Sequence, residues 1–110
     1  MDPHPTLNQM SRDFALGLAV GAIPFAGAAP GMSDTFSFHV GSFIGAMMGL
    51  GVDSAEGGAA VATAPVLGPV SVAAAATVSV MAVGHAANAG MAIVNMAVKD
   101  WRIGGRRQGI

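Results

Sequence analysis

The chain has no cysteine and no tyrosine, and few of its residues carry a charge. Its 110 residues include 5 Lys and Arg and 6 Asp and Glu, or 10% of the chain, whereas ordinary soluble domains have about 25%. The missing cysteine excludes a disulfide framework, a thiolate zinc site and a cysteine nucleophile. The scarcity of charge is unlike the surface of a water-soluble domain, which needs mixed charges.

Small apolar residues take the place of the missing charge. Hydrophobic residues make up 53% of the chain, with 16 Gly, 8 Met, 5 Phe and 1 Trp, and the mean hydropathy is +0.59. A chain of this length forms one domain at most and has a small core if it folds alone in water. Small side chains allow close approach of backbones, so we expect helices that pack tightly on a partner or in lipid.

The charges are unevenly distributed, which divides the chain into a hydrophobic Gly/Ala-rich helical domain at residues 1–98 and a basic C-terminal tail at 99–110. The tail has four cations against Asp100, a net of +3, although the whole chain has −1. An indole among cations after an apolar helix is typical of a membrane-interface anchor, and a disordered soluble tail is the alternative. The residues of this interface anchor are Lys99, Trp101, Arg102, Arg106 and Arg107.

Capping residues and helix breakers predict the first two helices. Thr6 and Gln9 match a capping box, which predicts a helix over residues 7–23, ended by Pro24 and the glycines and prolines after it. A second apolar segment covers 36–52, with a cap at 33–34. The N-terminus MDPHPTLNQM has no basic region before its apolar part, so we expect no secretory signal peptide.

The second half of the chain begins with DSAEGG at residues 53–58, which we interpret as an interruption. Asp53 and Glu56 then cap a helix start at an exposed turn. Residues 57–98 contain no charged residue over 42 positions. Pro65 and Pro69 divide this run into a short helix near 58–64 and a long helix from about 70 to about 101. VSVAAAATVSVMAV also fits a strand, but its four consecutive alanines favour a helix.

Glycines recur at four-residue spacing in the stretch HVGSFIGAMMGLG. Positions four apart lie nearly above one another on a helix, so these glycines form a flat groove. Such a groove lets helices pack at short distance in lipid, while in water each glycine costs about 1 kcal/mol relative to alanine. The predicted helix-packing groove consists of Gly41, Gly45 and Gly49 on the second helix and Gly17 and Gly21 on the first.

Four polar residues of the predicted long helix fall within one sector about 80° wide. A narrow polar face suits a helix packed on other helices, where such side chains form hydrogen bonds across the contact. We therefore interpret His85 as an interhelical residue rather than a metal ligand or general base. This polar interhelical stripe consists of Thr77, His85, Asn88 and Asn95.

Motifs for catalysis or metal binding are missing. The three histidines lie in separate segments without an HExxH pattern, no serine stands in a GxSxG context, and GVDSAEGG lacks the ending of a phosphate loop. His39 fits a protonation switch at acidic pH or, as we prefer, a satisfied buried histidine. We expect no enzyme, no catalytic or metal residue and no cofactor.

The segments FALGLAVGAIPFAGA and GLGVDSAEGGAAVATAPVLGPVSVAAAATVSVMAVGHAANAG resemble the Gly/Ala-rich hydrophobic segments of bacterial polymorphic toxins and type VI secretion effectors of the Rhs type. In that family such segments precede the toxic tip, and some are membrane-inserting helices shielded by a chaperone. The likeness covers about residues 14–98 and lies in composition and rhythm. The chain has no YD-type repeats, no PAAR-like spike region and no toxin domain after residue 98, so no site residue is carried over.

These observations predict an all-α fold of three or four helices in hairpin arrangement, either membrane-inserting or buried by a partner. The expected function is a non-enzymatic membrane-inserting or helix-packing module, such as the translocation or assembly segment of a secreted bacterial toxin. The alternatives are a holin-like pore former and a soluble helical subunit whose apolar faces another chain buries. The expected partners are membrane lipid, a helical protein such as a chaperone or a larger assembly, or both, with no nucleic acid. We also expect the chain to be an oligomer or a subunit of a complex. The expected location is a bacterial inner or target-cell membrane, or the cytoplasm in a complex.

Overall fold

The computed structural model describes residues 6–26 and 35–107, and for residues 99–107 it describes the backbone alone. The described residues form three α-helices and no strand: α1 over Leu7–Ala22, α2 over Phe36–Leu67 and α3 over Pro69–Arg107. The predicted all-α fold is confirmed, with three helices. The segment VSVAAAATVSVMAV lies inside α3, so the helical interpretation preferred for it is confirmed and the alternative of a strand is wrong.

Helix α1 begins with the predicted capping box. The Gln9 amide donates to the Thr6 hydroxyl at 3.2 Å, and the Thr6 amide donates to Oε1 of Gln9 at 2.8 Å. These reciprocal bonds satisfy amide groups that have no partner within the helix. The helix ends at Ala22, one residue before the predicted boundary, and the extended Ile23 and then Pro24 follow it.

Helix α2 is a single helix, so the predicted interruption at residues 53–58 is wrong. Asp53 does not cap an exposed turn: it lies in the middle of α2 and is 3% exposed. Its carboxylate is bonded to His85 on α3. This charged residue is therefore buried within a continuous helix and does not lie at an exposed turn. At the start of α2, the Thr35 hydroxyl accepts a hydrogen bond from the amide of Phe38 at 3.1 Å, whereas the predicted cap at 33–34 lies outside the described residues.

The chain reverses at Gly68 and not at Pro65. Pro65 lies in the last turns of α2, where its missing amide hydrogen costs one hydrogen bond without ending the helix. Gly68 has φ 56° and ψ −121°, a conformation that side chains disfavour. Pro69 then begins α3, at the position where a helix tolerates proline best. The separate short helix predicted near residues 58–64 is therefore part of α2.

Helix α3 has 39 residues and extends beyond the predicted 70–101. Its segment Pro69–Val98 is long and apolar enough to cross a membrane, with a mean hydropathy of 1.6, and only 17% of its apolar window is buried against the rest of the chain. The helical backbone continues from the hydrophobic domain into the basic tail as far as Arg107.

The helices pack in two different directions. α2 and α3 are antiparallel and form the hairpin, as the hydrogen bonds between Thr63 and Ser71 and between Asp53 and His85 indicate. α1 lies parallel to the first half of α2, because residues later in α1 contact residues later in α2. The C-terminus of α1 therefore meets the hairpin near its middle.

This arrangement gives the chain two parts with different packing. We call the part covered by α1 the base, residues 6–26, 35–56 and 81–98, and the uncovered end of the hairpin the tip, residues 57–80. The buried apolar side chains are mostly small, as expected from helices in close contact. They are Val20, Phe38, Ala46, Ala60, Ala89 and Ala92.

Candidate functional site

Four of the predicted groove glycines bring α1 and α2 into backbone contact. A methyl group on Gly21 would lie 2.7 Å from the carbonyl carbon of Ser42, and one on Gly45 would lie 3.0 Å from the amide nitrogen of Ala22. There is no space for a side chain between the two backbones, so the contact requires glycine. We call this contact the glycine seam, formed by Gly17, Gly21, Gly41 and Gly45.

The fifth predicted groove residue, Gly49, faces α3 instead of α1. A methyl group at this position would lie 2.8 Å from Cε1 of His85. Gly49 therefore leaves the space in which the imidazole ring is buried, and it links the glycine pattern of α2 to the polar residues of α3.

Asp53 and His85 form a buried pair where the three helices meet. Nδ1 of His85 lies 2.6 Å from Oδ2 of Asp53, and both side chains are 3% exposed. Oδ1 of Asp53 is also buried and has no hydrogen-bond partner among the described residues. A buried carboxylate with one bonded oxygen depends strongly on the group that compensates it, so His85 is essential to the burial of Asp53.

Two side chains of α3 cap the C-terminus of α1. Nε2 of His85 donates a hydrogen bond to the carbonyl oxygen of Ala22 at 2.9 Å, and Nδ2 of Asn88 donates to that of Ile23 at 2.8 Å. The last carbonyls of a helix have no partner within it and form the negative end of its dipole. The hairpin thus satisfies the groups that α1 would otherwise leave unpaired in the middle of the base.

The residues after α1 add an apolar contact to this cap. Phe25 has a positive φ of 65°, an uncommon conformation for a bulky residue. Its ring lies against Gly84, where a methyl group would be 2.7 Å from the ring atom Cδ2. A side chain at position 84 would therefore displace the turn that follows α1.

The surroundings of His85 shift its pKa in opposing directions. Burial disfavours the charged ring and lowers the pKa, whereas the hydrogen bonds to the Ala22 carbonyl and to Asp53, with the attraction of the Asp53 carboxylate, raise it. The net result is a pKa above the ordinary value of 6.5. Protonation therefore favours the folded base.

The structure divides the predicted polar stripe. His85 and Asn88 lie together at the end of α1, both nearly fully buried. Thr77 is exposed and donates to the carbonyl oxygen of Ala73 in its own helix at 3.0 Å, and Asn95 is half-buried further along α3.

Asp53 is the site residue that sequence reasoning assigned to a wrong role. A signal for its true partner exists: Asp53 and His85 lie 15 and 17 residues from Gly68 in opposite directions, at similar distances from the turn of an antiparallel hairpin. The signal can be used only if α2 is continuous up to Gly68. The predicted interruption at residues 53–58 excludes such a continuous helix, so the signal is missed.

The remaining candidate groups lie apart from this site. His39 is buried in α2, and its ring meets that of Phe38 edge-on with centroids 5.6 Å apart. The described residues bring no three His, Asp or Glu side chains together in a way that would hold a metal ion. The side chains of the predicted interface anchor, Lys99, Trp101, Arg102, Arg106 and Arg107, lie outside the described residues.

The tip has an apolar surface without a charge. Glu56, at the border between base and tip, is the only exposed Asp, Glu, Lys or Arg side chain between Thr35 and Val98. Inside the tip, the hydroxyls of Thr63 and Ser71 are hydrogen-bonded across the two helices at 3.1 Å. A methyl group on Gly57 would lie 3.6 Å from Cγ1 of Val78. The exposed apolar side chains of the tip are Val61, Val66, Leu67, Val70, Val72 and Val80, of which Val66 is 86% exposed.

Comparisons of the chain with protein-family models, with curated proteins and with solved structures find no match.

Proposed function

We propose that this chain is a non-enzymatic helical module that inserts the tip of its hairpin into a lipid bilayer while α1 holds the base together. The exposed, uncharged surface of the tip is the observation that carries the proposal. In water this surface would leave valines unburied at both sides of Gly68, whereas lipid removes that cost. The module would serve as the translocation or assembly segment of a larger secreted protein, the role that the resemblance to Rhs-type effectors implies.

The distribution of charge supports insertion with the tip first. Glu56 lies at the border of the tip, and Arg12 and Asp13 lie on α1, in the base. A charge at the centre of a bilayer costs about 2.5–3.5 kcal/mol even on the lenient insertion scale. Insertion up to Glu56 therefore places every exposed charge of the described residues outside the hydrocarbon.

The length of the tip sets the depth of insertion. Gly68 lies twelve positions after Glu56, and at about 1.5 Å per residue this segment reaches about 18 Å. This is slightly more than one leaflet, which is half of the roughly 30 Å hydrocarbon thickness. The proposal is therefore a hairpin that enters one leaflet and leaves Asp53 and His85 outside the inserted segment.

Single cysteines test this topology, because the chain has none of its own. An environment-sensitive dye is attached to Val66→Cys in the tip, to Ala55→Cys beside Glu56, or to Leu16→Cys on α1. With vesicles of anionic and zwitterionic lipid, we expect strong quenching by lipid-borne quenchers at Val66, weak quenching at Ala55 and none at Leu16. Val66→Asp is the matched variant and should reduce flotation with vesicles.

Other outcomes would replace the proposal. Equal quenching at Val66 and Leu16 would indicate complete insertion. Rapid loss of membrane integrity on expression would favour the holin-like pore former. A stable, monodisperse monomer that does not bind vesicles would contradict lipid insertion. Recovery in the soluble fraction with one specific companion chain would also contradict it and would favour the partner-buried subunit.

A further inference from the structure

The contacts of His85 reveal how many protons the buried pair holds. The Ala22 carbonyl oxygen only accepts hydrogen bonds, so Nε2 of His85 must have a hydrogen. Nδ1 lies 2.6 Å from Oδ2 of Asp53, and at this distance two lone pairs would repel, so a proton lies between these atoms as well. The geometry thus requires one proton more than an ionised aspartate and a neutral histidine contain together.

Loss of this proton breaks one of the two contacts whichever tautomer remains. If the remaining hydrogen is on Nε2, the lone pair of Nδ1 faces the Asp53 carboxylate. If it moves to Nδ1, the lone pair of Nε2 faces the Ala22 carbonyl and the cap on α1 is lost. In both cases the buried pair has a net negative charge, because an ionised aspartate then faces a neutral histidine. Oδ1 of Asp53 has no partner among the described residues that could compensate this charge.

We propose that Asp53 and His85 form a proton-binding site, and that the bound proton holds the C-terminus of α1 on the hairpin. The proton leaves to solvent as the pair changes from neutral to anionic, and α1 then detaches from the base. Detachment exposes the α2 side of the glycine seam. The inference concerns the base alone and does not depend on insertion of the tip.

No other charged group in the described part of the base contacts His85. Asp53 is its only side-chain hydrogen-bond partner, and its other hydrogen bond is to the backbone carbonyl of Ala22. The other charged or titratable side chains on the packed helices, up to Val98, are Arg12 and Asp13 on α1 and His39 and Glu56 on α2.

The direction of the pH effect follows from the raised pKa of His85. A group whose pKa is higher in the folded than in the unfolded chain stabilises the fold fully below its unfolded pKa, here 6.5. This contribution is lost as the pH rises through the folded pKa. Attachment of α1 is therefore expected at mildly acidic pH and detachment at alkaline pH.

The test measures the distance between spin labels at Ala19→Cys on α1 and Ala87→Cys on α3, both exposed positions, in the full chain in mild detergent. We expect one short distance at about pH 6 and a distribution dominated by long distances at about pH 9. The ratio of attached to detached chains should fall by up to about tenfold for each pH unit between 6.5 and the pKa of His85 in the attached state, and should level off above that pKa. In the same sample, 15N signals of His85 should show both ring nitrogens protonated until that midpoint.

Asp53→Asn is the discriminating variant. Its amide donates to Nδ1 while a neutral ring keeps its hydrogen on Nε2, so both contacts persist without the extra proton. We expect this variant to retain the short distance up to about pH 9, with the helicity of the wild type. Glu56→Gln and His39→Gln are matched controls. Their spin-label distances should lengthen over the same pH range as in the wild type.

Three results would overturn the proposal. The wild-type distance could stay short while the His85 ring loses its proton, or Asp53→Asn could detach at the same pH as the wild type. The third, which needs no variant, is a ring with only one protonated nitrogen together with an ionised Asp53 carboxylate at about pH 6, read from the ring 15N and the carboxyl 13C signals. Dye quenching at Val66 is read separately, so failure of the proton site and failure of tip insertion are distinguishable.

Discussion

The base and the tip have similar apolar compositions but hold their helices together in different ways. In the base, backbones touch along the glycine seam, and buried polar groups of Asp53, His85 and Asn88 are bonded across helices. In the tip, one pair of hydroxyls is bonded across the two helices, Gly57 lies against Val78, and several valines are exposed. Apolar composition alone therefore does not distinguish the two parts, whereas glycine spacing and polar pairs determine where the third helix docks.

Removal of the His85 side chain should cause the largest loss of stability in the base. His85→Ala leaves the Asp53 carboxylate buried without a partner and uncaps Ala22, and loss of one member of a buried pair typically costs about 3–5 kcal/mol. Urea unfolding followed by circular dichroism should record this loss at about pH 6. Asp53→Asn is expected to cost much less, and equal losses for the two variants would mean that the pair contributes packing and no charge compensation.

Substitution of a glycine in the glycine seam should destabilise the base through a steric clash. In Gly45→Ala the new methyl group meets the α1 backbone, and overpacking of this kind costs about 1–3 kcal/mol or more. Gly51→Ala on the same helix is the matched control, because nothing lies within 4 Å of a methyl group there. The control should gain up to about 1 kcal/mol from helix propensity. Similar unfolding midpoints for both variants would show that α1 does not pack as described.

The smallest effect is expected in the tip. Ser71→Ala removes the hydroxyl that bonds Thr63 across the two helices, and a hydrogen bond of this kind contributes about 1 kcal/mol. Ser79→Ala is the control, since the Ser79 hydroxyl is exposed and bonds only to Ala75 in its own helix. A loss for Ser71→Ala as large as that for Gly45→Ala would remove the distinction between tip and base.

The elements that local signals determine could be predicted from the sequence. The capping box at Thr6 and Gln9, the end of α1 near Ile23 and the all-helical fold are each set by residues a few positions apart. The glycines were assigned to close packing by their four-residue spacing alone, and four of them lie between α1 and α2.

The elements that depend on distant partners could not be predicted in this way. Asp53 looked like a cap because Glu56 and two glycines follow it, yet its role depends on His85, 32 residues later. Pro65 looked like a break, but a proline near the end of a helix removes only one bond. The parallel direction of α1 likewise depends on contacts between helices rather than on either helix alone.

The cap on α1 also determines when this helix can finish folding. The donors for Ala22 and Ile23 come from residues 63 and 65 positions later in the chain. During synthesis on the ribosome, α1 and α2 emerge before these donors exist, so the end of α1 is uncapped until about half of α3, as far as Asn88, has been made. The hairpin, which pairs neighbouring segments, forms by more local contacts. Stable docking of the end of α1 therefore requires that α3 is already packed on α2.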